Sequence, residues 1–524
     1  MNHQETKLHL TNSLHRCLQQ TPEKIATIFR GRVRRYDEFC ARVARLAGAL
    51  HAAGLAAGER VGVLALNSDR YLETCMAVWW GGGVLNPVNI RWSVPEIVYS
   101  LDDCDTGILF IDDQFVPMAA AIRKTAKREP TFIYMGEGET PVGMQSYESL
   151  IAGHEPVEDA WRGYEDLAIV MYTGGTTGFP KGVIQSHRNI WSGCIQRIAE
   201  APPVRNGRSL HAAPLFHMAA LSRALNQFIA GETHVIIPVF NASEVLETIE
   251  RERVTEIGLV PTMIQALIDH PEFGKRDVSS VKRLVYGASP IVAAVLERTM
   301  AVLPGVEFSQ SYGLTEAMVV TTNPPENHGE AGRASGLSLS VGRAAWGTSV
   351  KVVDEAGNEV PRGVVGEIVI RGPSVTRGYW NKPQETAGTL RDGWLHTGDG
   401  AWMNEAGYLF IVDRMKDMIV SGGENVYSAE VESAIGRHPA VAMCAVIGIP
   451  SETWGETVHA IVVPRPGEPV SEGDIREHCR TLIANYKCPK SIEFRTAMPL
   501  SGAGKILKRD LRAPYWEGKA KKVN

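Results

Sequence analysis

Residues 166–183 read DLAIVMYTGGTTGFPKGV: an apolar run is followed, from Met171 to Val183, by thirteen residues that hold four glycines, three threonines, one proline and one lysine. A short apolar run bounded by glycine is the pattern of a strand buried on both faces. In a doubly wound sheet ligands sit at the carboxyl ends of the strands, which is where this segment emerges. Glycines such as Gly174, Gly175 and Gly178 let backbone N–H groups turn toward one point and form an anion-binding nest. Thr173, Thr176 and Thr177 add hydroxyls, and Lys181 adds a mobile positive charge. The competing reading is a plain surface turn with a solvated lysine, but six consecutive glycine or hydroxyl residues, 173–178, exceed what such a turn needs. A polyphosphate is the expected guest. The segment is not a Walker A loop, because Pro180 precedes Lys181 and Gly182 follows it, so it suits a flexible cover better than a rigid cradle.

Outward from this stretch, runs such as RVGVLAL, GILFID, THVIIPV, EIGLVP, RLVYGAS and VEFSQSYG alternate with helical patterns such as SEVLETIERERV and VAAVLERTMAVL. That alternation predicts an α/β protein with largely parallel, doubly covered sheets. From about Gly342 short strands with turn signals follow one another, which predicts a β-rich subdomain. After Arg414 the order strand, helix, strand, strand, helix, strand predicts a small α+β C-terminal domain. The expected division is residues 1–413 and 414–524, and the basic tail RAPYWEGKAKKVN is expected to fray.

Composition narrows the function classes. Of 524 residues 44% are hydrophobic and 22% charged, the net charge is −5, and no long block carries one sign, which disfavours nucleic acid as a partner. The N-terminal stretch lacks the basic and apolar regions of a signal peptide, so a cytoplasmic location is expected, with at most peripheral membrane contact. The eight cysteines (17, 40, 75, 104, 194, 444, 479 and 488) never fall at C-x-x-C spacing, so buried free thiols are expected rather than zinc or disulfides.

Two further segments supply what a phosphate loop lacks. QSYGLTEAM holds Tyr312, Thr315 and Glu316 after a strand, and a carboxylate near phosphates suits a magnesium ligand; a helix opening at Glu316 is the alternative. LHTGDGAW places Asp399 in a Gly-flanked turn suited to ribose hydroxyls, with an ordinary Asx turn as the alternative, and Arg414 follows closely.

Together these segments resemble the adenylate-forming superfamily of acyl-CoA synthetases, peptide-synthetase adenylation domains and firefly-type luciferases. The likeness runs nearly end to end through YTGGTTGFPKGV, PLFHMAALS, QSYGLTEA, GEIVIRGPSVTRGYW, WLHTGDGAW, DRMKDMIVSGGENVYSAEVE and PLSGAGKILKRDLR, and looks nearest to bacterial fatty acyl-CoA ligases. The resemblance implies a two-step reaction with ATP, Mg2+ and coenzyme A: a carboxylic acid gives acyl-AMP and pyrophosphate, then a thiol takes the acyl group and releases AMP. It implies that the loop from Thr173 to Lys181 holds the β and γ phosphates, that Gly287, Ala288, Ser289 and Tyr312 flank adenine, that Thr315 meets the α-phosphate and Glu316 the metal, and that Asp399 and Arg414 hold the ribose and nucleotide. By the same likeness Lys505 bridges carboxylate and α-phosphate, His217 lines the acyl site near the thiol tunnel, the hinge falls at Lys416, and Gly422, Gly423 and Glu424 line the pantetheine route. One departure is Gly174, which stands where the common pattern has serine and so gives up a hydroxyl.

The segments that form acyl-pocket walls in such enzymes, around His217, LVPTMIQAL, VYGAS and SYGLTEAMVV, are mostly apolar here and carry no aspartate for an amino-acid ammonium. This disfavours an amino acid as substrate; the resemblance of DRMKDMIVSGGENVYSAEVE and YWNKPQET to bacterial fatty acyl-CoA ligases implies a medium- or long-chain fatty acid, with an aromatic acid of cinnamate or benzoate type second and loading of a carrier protein as a further alternative. For the CoA ligase, a homodimer is the one protein association anticipated. A kinase or hydrolase releasing ADP, and a non-catalytic nucleotide-binding protein, are the other classes; the absent Walker pattern and the joint presence of Glu316, Asp399, Arg414 and Lys505 argue against them.

Overall fold

The apolar run is a strand, Leu167–Thr173, and the chain returns beside it as the antiparallel strand Lys181–Ser186, with Thr173 opposite Lys181. The computed structural model describes residues 8–173, 180–415, 417–422, 424–502 and 504–517, so loop residues 174–179 lie outside it, as do Lys416 and Gly423. These two strands end a seven-stranded sheet that is otherwise parallel. Its strands alternate between two apolar cores: Val61, Val63, Ile108, Phe110, Ile169 and Met171 face one, while Leu64, Leu109, Ile111, Val170 and Tyr172 face the other. A sheet apolar on both faces must be covered on both, as the sequence predicts.

A second sheet of nine strands has a parallel centre, Ile25–Phe29, Thr233–Ile236, Arg208–His211, Glu256–Leu259, Arg283–Gly287 and Glu307–Leu314, with hairpins at its edges. One face packs an apolar core through Leu210, Val235, Ile257, Leu284, Tyr286 and Phe308. In-register residues of parallel strands share a face, and the opposite face is polar: His234, Ser209 and Glu256 stand in one row, and Ser309 and Ser311 follow on the last strand.

The β-rich subdomain is a five-stranded antiparallel sheet that includes Ser349–Val353, Gly366–Arg371, Trp394–Met403 and Leu409–Arg414. The small domain pairs Ile419–Ser421, Val441–Ser451, Gly455–Pro464 and Ser491–Phe494 with the helices Ser428–Gly436 and Glu472–Arg480. The expected frayed tail is corrected in part. Helix Lys508–Trp516 buries Leu511 completely, Tyr515 donates to Glu493 and Trp516 donates its indole N–H to the Gly448 carbonyl, so apolar burial outweighs the basic composition. Seven cysteines are buried, Cys444 is partly buried and all eight are free. Among the described residues no helix is long and apolar enough to cross a membrane.

Candidate active site

Two hairpins and one loop build the site. The first hairpin carries Thr173 and Lys181 at its tip; Gly174, Gly175, Thr176, Thr177 and Gly178 lie between them, outside the described residues. The second pairs Glu307–Leu314 with Met318–Asn323, and Thr315 and Glu316 occupy its turn. Glu316 therefore opens no helix. The turn is tight enough that a Cβ on Gly313 would lie 1.7 Å from the Met318 carbonyl oxygen, so glycine is required there.

A segment given no role in the sequence reading, Thr376–Trp380, ties the two hairpins together. Its backbone adds to strand Lys181–Ser186 through Ile184 N to Gly378 O (3.0 Å) and Trp380 N to Gly182 O (2.7 Å). Thr376 N donates to the Glu316 carbonyl at 2.7 Å, and Gln185 Nε2 donates to the Thr315 carbonyl at 2.6 Å. Tyr379 joins both sites of charge: its hydroxyl donates to Glu316 Oε1 at 2.9 Å while its ring lies 5.4 Å from Lys181 Nζ. Burial raises the Glu316 pKa above the usual carboxylate range, with the Tyr379 hydrogen bond acting against it. The signal that could have found Tyr379 is the RGYW segment, an aromatic hydroxyl bracketed by glycine and tryptophan.

Asp399 is not in a turn. It lies within strand Trp394–Met403 and faces Arg414 across the ladder, because Gly398 at φ +71° bends the strand before the pairing resumes. Tyr312 donates to Asp399 Oδ2 at 2.7 Å and Arg414 Nε lies 3.2 Å from Oδ1. Each carboxylate oxygen accepts two hydrogen bonds, so both retain capacity for a ligand hydroxyl. Gly287, Ala288 and Ser289 close the adjoining strand, with Gly287 beside Ser311 and Ala288 at φ +65°.

The loop Leu500–Ile506 of the small domain completes the arrangement. It closes on itself through Ser501 N to Lys505 O (2.7 Å) and Leu500 paired with Ile506, and Gly504 takes φ +75°. It docks on the large domain: Thr262 Oγ1 donates to Gly504 O at 2.9 Å, Arg91 Nη1 donates to Leu500 O at 3.3 Å, and Gly502 packs against Phe216, His217 and Asn89. His217 caps the N-terminus of helix Met218–Ala230, and Asn67 holds the chain just before it by accepting from Leu215 N at 2.9 Å. Lys505 lies in the field of Arg414, Asp399 and Glu316. Burial, aided by Arg414 and opposed by the two carboxylates, brings its pKa down to about 8. Burial and the Lys505 charge hold His217 neutral, at about 3.

Lys505, Glu316, Asp399, Arg414 and His217, far apart in sequence, thus share one electrostatic neighbourhood. Gly422 and Glu424 do not join it: Gly422 donates to the Trp454 carbonyl at 2.9 Å and Glu424 pairs with Ser421, both within the small domain. Among the described residues no cluster of three or more His, Cys, Asp or Glu could hold a metal ion. A single carboxylate linked through Tyr379 to Lys181 nevertheless fits magnesium, which is commonly held by one or two carboxylates and substrate phosphates.

Comparison with known proteins gives the family and the fold. The family described as AMP-binding enzyme matches residues 14–380, and the AMP-binding enzyme C-terminal domain matches residues 430–505. The chain is 38% identical to a feruloyl-CoA synthase of Amycolatopsis sp, covering 95% of this chain and 97% of the relative. It is 37% identical to the fatty acid–[acyl-carrier-protein] ligase ScoC of Streptomyces coeruleorubidus, covering 98% and 97%. ATP-bound MatB from Rhodopseudomonas palustris superposes with a TM-score of 0.88 at 31% identity, covering 98% of this chain and all of that one.

Proposed function

The chain belongs to the AMP-binding enzyme family and is an AMP-forming acid–CoA ligase, and on that premise we propose how its residues divide the work. The observation that carries the proposal is Lys505, held by a docked loop of the small domain in the field of Glu316, Asp399 and Arg414.

In the first half-reaction a carboxylate oxygen of the acid bonds to the α-phosphorus of ATP, and the bond from that phosphorus to the bridging oxygen breaks with pyrophosphate leaving. Two negative charges about 4 Å apart repel by about 4 kcal/mol at an effective dielectric of 20. Lys505 lowers that repulsion by placing an ammonium between acid and α-phosphate, and it stabilises charge developing at phosphorus. Thr315 meets the α-phosphate. Thr173, Lys181 and the loop residues between them receive the β and γ phosphates. Asp399 accepts from the ribose and Arg414 steadies the nucleotide, while Gly287, Ala288, Ser289 and Tyr312 flank the base. Glu316 would hold Mg2+, which when bound supplies neutralisation of the triphosphate charge.

For the second half-reaction residues 414–524 turn away about a hinge at Lys416, withdrawing Lys505. Gly422, Gly423 and Glu424 then line the path of the CoA thiol, with His217 at its inner end. For the acid, a medium- or long-chain fatty acid is supported by the likeness to ScoC, and an aromatic acid by the likeness to the feruloyl-CoA synthase. A carrier protein as acceptor is likewise supported by ScoC.

Lys505→Ala tests the division of labour. The variant is expected to lose acid-dependent pyrophosphate release by at least about 100-fold, yet to convert supplied acyl-AMP and CoA to acyl-CoA near the wild-type rate. Equal loss of both half-reactions would remove Lys505 from its role.

A further inference from the structure

We propose that the acid taken by this ligase carries an acceptor or anionic oxygen at the end remote from its reacting carboxylate, and that Arg197, with Ser311, receives that oxygen. The inference rests on the ligase reading and names the substrate class for the same site.

Where the nine-stranded sheet meets the helices His187–Glu200 and Met218–Ala230, mostly outside the segments expected to form pocket walls, the packed layer is polar. The sheet face there carries His234, Ser209, His211, Glu256, Ser309 and Ser311, all but Ser311 buried. Small side chains on this face leave room for long polar ones from the helices. Arg223 lies against Gly258, where a Cβ would come 2.2 Å from its Nε, and pairs with Glu256 at 3.0 Å. Arg197, only 8% exposed, donates from Nη1 to the Ser311 hydroxyl.

The charges on this layer do not balance. Arg197, Arg223 and Arg283 share a field in which Glu256, the carboxylate acting on Arg197, pairs directly with Arg223. Arg197 has no carboxylate partner among the described residues, and burial together with Arg223 lowers its pKa to about 10. Ser309 Oγ and Glu256 Oε2 are also buried without a hydrogen-bond partner. A buried cation and unpaired polar atoms are costly to keep unless something answers them.

The layer adjoins the reacting centre. Ser311 precedes Tyr312, whose hydroxyl meets Asp399, and it stands beside Gly287 at the strand end. Along the helix that His217 caps, six residues separate His217 from Arg223, a rise of about 9 Å into the protein. An acid with its carboxylate at Lys505 and a compact body would carry a terminal oxygen toward Arg197. A plain alkyl tail there would leave the guanidinium and the Ser309 hydroxyl unanswered. A phenolic acid and a dicarboxylic acid share the required chemistry.

The test measures kcat/KM for pyrophosphate release with matched acids: 4-hydroxycinnamate against cinnamate in one arm, and a dicarboxylic acid against the alkanoate of equal length in the other. In at least one arm the acceptor-bearing acid is expected to be favoured by about 100-fold or more, since a site built for a polar group rejects its apolar analogue strongly. Arg197→Met is expected to bring that ratio to within a few-fold of one, and Arg197→Lys to restore part of it. Preference for the plain acid in both arms, or an equal fall for both members of a pair in Arg197→Met, overturns the proposal. Should Arg197→Met lose its cooperative thermal unfolding, Ser311→Ala is scored by the same ratio. No pyrophosphate from any acid would instead strike the ligase reading itself.

Discussion

In the proposed role Lys505 brings a positive charge to a place where both reactants are anions, and burial weakens its hold on the proton. A lysine whose pKa falls to about 8 is protonated below that value and loses its charge above it. The kcat/KM of pyrophosphate release, which reports the free enzyme, is therefore expected to fall as pH rises through about 8. Thioester formation from supplied acyl-AMP is expected to lack this limb; a profile flat to pH 10 for the first half-reaction would contradict the assignment. Tyr379 fixes one Glu316 carboxylate oxygen, and in the proposed role the other oxygen serves the metal. Tyr379→Phe removes a hydrogen bond to a charged group, and about a tenfold loss in kcat/KM for ATP is expected, with a higher magnesium concentration for half-saturation. An unchanged magnesium titration would reduce Tyr379 to a packing role. The Phe216–His217 pair stands beside the Lys505 loop, across from Gly502, a neighbour its motif did not name.

Elements were legible where their period was strong. The parallel strands and the helices between them follow the apolar runs closely, because a strand buried on both faces and an amphipathic helix each leave a clear pattern. Asp399 was misread because Gly398 signals a turn, yet a positive-φ glycine can also bend a strand that keeps its partner. The C-terminal helix was missed because Pro514 and basic residues obscure its one buried stripe. Leu511 is fully buried against Ala445, Ile447, Ile461 and Met498, so Leu511→Ala is expected to cost about 2–5 kcal/mol in the small domain. Calorimetry is expected to show an earlier transition for that domain with the large-domain transition unmoved; a single transition shifted as a whole would mean that the two domains unfold together.

At the scale of the molecule, the small domain lies closed over the large one, fastened by Thr262 to Gly504, Arg91 to Leu500 and Arg465 to Asp269. Polar contacts of this kind permit relative domain motion. A disulfide between Asn89→Cys and Gly502→Cys would hold this arrangement, since a Cβ on Gly502 would lie 3.4 Å from Asn89 Oδ1. The oxidised protein is expected to release pyrophosphate with acid and ATP but to make acyl-CoA at less than about a tenth of the reduced rate, with dithiothreitol restoring it. Full acyl-CoA formation by the oxidised form would mean that no domain motion is needed.

By itself the sequence determined the α/β architecture and the likeness to the AMP-binding enzymes, because burial periodicity and glycine-rich motifs are properties of contiguous chain. Only the tertiary structure decided that Tyr379 bridges Lys181 and Glu316, that Lys505 reaches the carboxylates from another domain, and that one face of a sheet hides a guanidinium with no ion-pair partner of its own among the described residues. Those facts depend on which side chains meet across distant strands. Charge balance and desolvation are set by that meeting, and no local pattern records them.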